Sequence, residues 1–177
     1  MEFTKVMLLF TKNKANIVSA KVREVDLGWG KIIAEIRKMK GSHTKVGLPQ
    51  EGSVEPNPDT GITEMSELVA IGAVHEFGAP NKNIPERSFV RATTDDNRSR
   101  IIKMQQLEIS KITGGKSTVD ISLKRMGTVV QGMMQRKIRQ GPFVPLKPAT
   151  IRKKGSTKPL IDKGQLIQSI QHVEVLK

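Results

Sequence analysis

Acid–base chemistry in this chain would have to start from His75 and Glu76, the one pair whose types invite a catalytic reading. Neighbours on a helix point about 100° apart, so imidazole and carboxylate do not converge on one substrate. The metallopeptidase pattern H-E-x-x-H is broken, because the position four after His75 is Ala79. His43 and His172 fall in separate expected strands, and the chain has no cysteine, so a dedicated metal site is not expected. His75 therefore reads as a packed or capping residue, and Glu76 as a partner for Arg87 or Arg91. Ser/His/Asp combinations elsewhere lack any motif context. Neither a catalytic residue nor a cofactor is expected, and the chain does not read as an enzyme.

Two further stretches carry phosphate-like chemistry. Gly114-Gly115-Lys116-Ser117-Thr118 has the end of a phosphate loop, but Ser110 stands where the first glycine belongs, and the preceding residues read as helix rather than strand. Arg152-Lys153-Lys154-Gly155-Ser156-Thr157-Lys158 is the densest basic run. In a loop it could meet phosphates through side chains and backbone N–H groups. No Tyr or Trp interleaves it, so base stacking is not supported, and any binding of passing DNA would be sequence-independent and salt-sensitive. Its alternative is a solvated loop.

The element that must position His75 and Glu76 lies between Thr63 and Thr94. Met65, Leu68, Val69, Gly72, Ala73 and Phe77 share one side at helical spacing, with Thr63 as N-cap and Gly78-Pro80 as the stop. An extended piece follows to Arg91, and a second helix is expected from about Asp95 to Ile112. Its apolar positions Ile101, Ile102, Met104, Leu107, Ile109 and Ile112 cover a wide arc, which predicts cover on two sides.

That stretch also resembles a known family. Ala73-Val74-His75-Glu76-Phe77-Gly78 followed by Ile84-Pro85-Glu86-Arg87-Ser88-Phe89-Val90-Arg91 is similar to a signature of tailed-bacteriophage tail-completion and head–tail joining (neck) proteins, including the virion morphogenesis proteins of Mu-like phages. A second block is similar to the ending of the same family. It runs from Pro145 to Gly155 (PLKPATIRKKG) and from Lys158 to Ile170 (KPLIDKGQLIQSI). Lys163 stands where the family pattern has Thr, so Asp162 is expected to cap the final helix instead. The resemblance implies a structural virion protein at the head–tail junction, assembled in the host cytoplasm. Its partners would be copies of itself in a ring, portal or adaptor proteins, and tail-terminator or tail-tube proteins. Interface candidates are Ile84, Arg87, Phe89, Arg91, Ile102 and Ile109. Arg152, Lys153, Lys154 and Lys158 are candidates for a basic surface.

Composition bounds both readings. A chain of 177 residues fits one domain with a core built mainly from Ile, Val, Leu and eight Met, since aromatics are 3%. The apolar run Val6–Phe10 is too short to span a bilayer, and no signal peptide or membrane partner is expected. Residues 98–177 hold 17 Lys/Arg against 4 Asp/Glu, which accounts for the whole net charge of +13. Such asymmetry suits a polyanion or an acidic protein ring. It keeps open an alternative function, a basic sequence-nonspecific nucleic-acid-binding protein.

The remaining elements complete an expected α+β domain: helices on a small, mainly antiparallel sheet from residues near 17–25, 43–48 and 171–176. Residues 1–16 read as an edge strand or terminal arm, 49–61 as a mobile loop, and 141–162 as an irregular Pro/Lys-rich segment. A helix capped by Asp26 places Trp29, Ile32, Ile33, Ile36 and Met39 in a narrow stripe expected to face the core. A long helix, about 119–139, carries a seam of Val119, Leu123, Met126, Val130, Met133 and Ile138, with Gly127 and Gly132 allowing close approach of another backbone. A short helix then leads into the last strand.

Overall fold

Two long antiparallel helices form the frame, in a computed structural model that describes residues 8–11, 19–22, 28–49 and 61–177. The first two segments are described by their backbone pairing alone. The frame helices are α3 (Arg91–Thr113) and α4 (Val119–Gln140). At about 1.5 Å per residue each is roughly 33 Å long. Around them lie α1 (Trp29–Met39), α2 (Met65–Phe77), α5 (Pro148–Lys154), α6 (Gln165–Gln168) and a short 3-10 turn at Pro80–Lys82. Four strands complete the described elements: β1 (Leu8–Thr11), β2 (Ser19–Val22), β3 (His43–Gly47) and β4 (Gln171–Val175). The class is α+β, as the sequence predicts.

The sheet differs from expectation. Residues 19–22 do not join the strands at 43–47 and 171–175; they pair antiparallel with 8–11, Leu8 opposite Val22 and Phe10 opposite Ala20. β3 and β4 form a separate antiparallel pair, with Val46 opposite His172. A nearby strand reached through a short connection closes at lower entropic cost than a third place in a distant sheet. β3 and β4 lie across α4, and the close approach is made at Gly127. A Cβ there would sit 2.5 Å from Cδ2 of His172 and 2.8 Å from Oγ1 of Thr44. Gly132 makes no such approach; nothing lies within 4 Å of where its Cβ would be.

The core joins α2, α4 and the C-terminal segment through Met65, Leu68, Phe89, Met134, Ile138, Leu160, Leu166 and Ile170. Full burial of such a side chain contributes about 1.5–3 kcal/mol. The stripe on α1 is not part of it. Trp29, Ile33 and Ile36 are 54%, 39% and 38% exposed; Ile32 and Met39 are half-buried, Ile32 beside Gly115 in the turn between α3 and α4. Asp26, its expected cap, lies outside the described residues, as does most of the 49–61 loop; Gly28 occupies the N-cap position.

Helix ends shift where tertiary contacts replace local caps. α2 begins after Glu64 with no side-chain cap, so Thr63 does not serve. α3 begins at Arg91, not Asp95. α4 matches its expected span, with Thr118 Oγ1 accepting from the Ile121 N–H at 3.3 Å. Within the Pro-rich segment, Pro148 occupies the first turn of α5, where a missing N–H costs nothing, so a helix forms in a region expected to be irregular. Asp162 does not cap α6; Gly164, in the left-handed conformation, precedes it.

Candidate functional site

Glu76 closes the buried stripe of α2, which runs Met65, Leu68, Gly72, Glu76 rather than ending on Phe77. Phe77 is 65% exposed, with the guanidinium of Arg91 over its ring at 5.0 Å. After Phe77 the chain reverses at Gly78, whose φ of 73° and approach to the Glu86 backbone leave no room for a side chain. Ala79 and Ile84 then exchange backbone hydrogen bonds at 2.9 and 3.1 Å, and the Arg87 N–H donates to the His75 carbonyl at 2.7 Å. This return lays residues 88–91 against the Glu76 carboxylate.

Five donors meet that carboxylate. Oε2 accepts from the N–H groups of Phe89 (2.7 Å) and Val90 (2.9 Å). Oε1 accepts from the Ser88 hydroxyl (2.7 Å), the Arg91 N–H (3.0 Å) and Arg91 Nε (3.2 Å). Val90, at the N-cap position of α3, has no side chain that could cap. Glu76 supplies the cap from a different helix and also faces the positive end of the α3 dipole. Burial would raise the pKa of this carboxyl, but the donors of Val90, Arg91, Ser88 and Phe89 outweigh it and hold the group below its ordinary value. Arg91 ties the knot from outside by donating to the Glu76 carbonyl at 3.0 Å and to Glu86 at 2.8 Å. Of the two expected partners, Arg91 is the one Glu76 meets; Arg87 donates instead to the Val144 carbonyl at 3.1 Å.

His75, next door, points elsewhere. Its ring lines a cleft of about 280 Å³ between α2, α5 and residues 159–166, with Leu68, Ile71, Leu146, Leu160 and Leu166 among the walls and Lys154 and Asp162 at the rim. Nδ1 is buried without a hydrogen-bond partner. Burial first, then the charges of Arg87 and Lys154, lower its pKa, so the ring is neutral at pH 7. Glu76 is fully engaged as a cap and His75 faces away from it, so the two form no acid–base pair.

The interface candidates separate cleanly. Phe89 and Arg87 are 1% and 5% exposed and belong to the interior, not to a contact surface. Ile84 is half-buried within its bridge to Ala79. Arg91 is exposed but already committed to Glu76 and Glu86. Ile102 and Ile109 are exposed, while the residues that α3 buries are Thr93, Glu108 and Ile112. Among the basic candidates, Arg152, Lys153 and Lys158 are exposed. Lys154 is not part of that surface. It is half-buried and donates to the carbonyls of Lys158 (2.9 Å) and Pro159 (3.1 Å), and burial lowers its pKa.

Three carboxylates escaped sequence reasoning as structural centres: Glu76 as a cap, Glu35 and Glu108. Glu35 on α1 accepts from the Val119 N–H at 2.8 Å, reaching the N-terminus of α4 as Glu76 reaches that of α3. Glu108, 5% exposed, accepts from Lys111 (2.5 Å), Ser122 (2.9 Å) and Arg125 (3.3 Å), joining α3 to α4. No local signal marked the cap, because Val90 carries no capping side chain and Glu76 reaches the start of α3 only through the fold. Comparison with protein-family models, with curated proteins and with solved structures found no match to the chain.

Proposed function

We propose that this chain is a structural virion protein of a tailed phage. It forms an oligomeric ring at the head–tail junction and connects portal-side and tail-side components during assembly. The role is one of docking, with no bond made or broken. The resemblance behind this reading rests on two blocks far apart in sequence. Supporting it, residues of both blocks meet in one core: Phe89 from the first, Leu160, Leu166 and Ile170 from the second. The motif residues therefore act as a framework that sets the direction of α3.

The observation that carries self-association is on α3. Ile102 and Ile109 are 43% and 46% exposed and, seven residues apart, share one side of the helix. Burying them against a neighbour recovers hydrophobic stabilisation that the isolated chain leaves unused. Light scattering with negative-stain imaging, at low and high salt and with and without DNA, tests the reading. Rings without DNA are expected, and Ile102→Asp or Ile109→Asp should abolish them while leaving the melting temperature intact. Normal assembly of both variants would remove this face as the contact. A monomer that coats DNA at low salt and releases it at high salt would replace the reading with non-specific nucleic-acid binding.

A further inference from the structure

The cleft beside His75 has a chemistry of its own, separate from the α3 face. Its walls are aliphatic side chains, and at about 280 Å³ it lies just below the usual size of small-molecule pockets, roughly 300–1,000 Å³. That volume takes one or two side chains, not a whole cofactor. The cleft opens into a wider trough of about 760 Å³, and Thr150, Lys154 and Asp162 line both. Exposed Lys153 stands in the trough, and Asp162 is the single acid among the described lining residues. Three lysines, Lys153, Lys154 and Lys163, line the trough against the one acid; Arg87 and Lys154 both disfavour a proton on His75, while at Lys154 the pull of Asp162 comes ahead of the opposing charge of Arg87. With Nδ1 buried and unpartnered, the neutral His75 tautomer bearing its hydrogen on Nε2 is the one that buries no unpaired N–H.

We infer that this cleft and trough dock a peptide segment of a partner protein in which a large aliphatic side chain stands beside carboxylates. The aliphatic anchor fills the space between Ile71, Leu146 and Leu160, and the carboxylates meet exposed Lys153 at the rim. A nucleic-acid backbone fits less well. It offers no aliphatic anchor, and no Phe, Tyr or Trp stands among the described lining residues to stack a base. The inference goes beyond the ring reading and uses neither Ile102 nor Ile109.

A random dodecapeptide library selected against the full chain tests it, with affinities of the enriched peptides measured by fluorescence anisotropy. Enrichment of Leu, Ile or Met next to Asp or Glu is expected. Ile71→Asp places a carboxylate in the aliphatic part, at a residue 37% exposed and so tolerant of change. It should weaken binding about tenfold or more at an unchanged melting temperature, and Lys153→Glu should weaken it about fivefold. The Ile102→Asp variant should bind the peptides normally, so loss of ring formation and loss of peptide binding are separable. Four results would overturn the inference: no enriched sequence, enriched peptides without carboxylates, affinity indifferent to Ile71→Asp, or displacement of the peptide by a single-stranded oligonucleotide.

Discussion

The carboxylate of Glu76 holds the backbone N–H of Phe89 at 2.7 Å across thirteen residues of sequence. Through that bond and its neighbours, the last turn of α2 decides where α3 begins. Replacing Glu76 by Gln removes the charge and turns one acceptor into a donor facing backbone N–H groups. We expect a loss of about 2–4 kcal/mol in chemical denaturation, with Glu76→Ala costing at least as much. Glu64→Gln, at an exposed site that caps nothing, should be within about 0.5 kcal/mol of the parent.

Acid should unfold the protein in two stages. Glu76, Glu108 and Glu35 all have pKa values below the ordinary 4.5. A carboxyl lowered in the folded state contributes stability above its unfolded pKa and loses it as pH falls through the folded value, so the steep decline belongs below about pH 4.5. His75 adds an earlier, shallower decline. Its folded pKa is also lowered, so the unfolded chain takes up its proton first and stability starts to drop below pH 6.5. Melting temperatures across this range should show both stages, His75→Gln removing the first and Glu76→Gln weakening the second.

Two glycines of α4 should respond in opposite ways to alanine. Gly127→Ala drives a methyl into His172, whose ring is fixed by a 2.5 Å hydrogen bond to Gln131, and should cost about 1–3 kcal/mol. Gly132→Ala meets open space and should stabilise the helix by up to about 1 kcal/mol. Equal effects at the two sites in denaturant titrations would refute the placement of β4 on α4.

The basic run should split between binding and folding. Arg152→Gln, Lys153→Gln and Lys158→Gln, all exposed, should leave stability within about 0.5 kcal/mol and lower any retention on DNA-cellulose at low salt. Lys154→Met should instead destabilise by about 1–2 kcal/mol, because it frees the Lys158 and Pro159 carbonyls that Lys154 holds.

Periodicity, prolines, glycines and charge, all local properties, determined the α+β class, the span of α4, the strands at 43–47 and 171–175 and the concentration of positive charge after residue 97. They also separated His75 from Glu76, since neighbours on a helix diverge. Only the tertiary structure decided which partners those elements meet. Apolar spacing on α1 looks the same whether its stripe is buried or, as with Trp29, exposed. Phe89 reads alike as an interface anchor or a core residue, and it is core because Glu76 fixes the turn that buries it. A helix start capped from another helix leaves no local signature, because its donor and acceptor are joined by the fold and not by their spacing. Lys154 parted from Lys153 for the same reason: one step along a short helix carries a side chain from solvent onto two carbonyls.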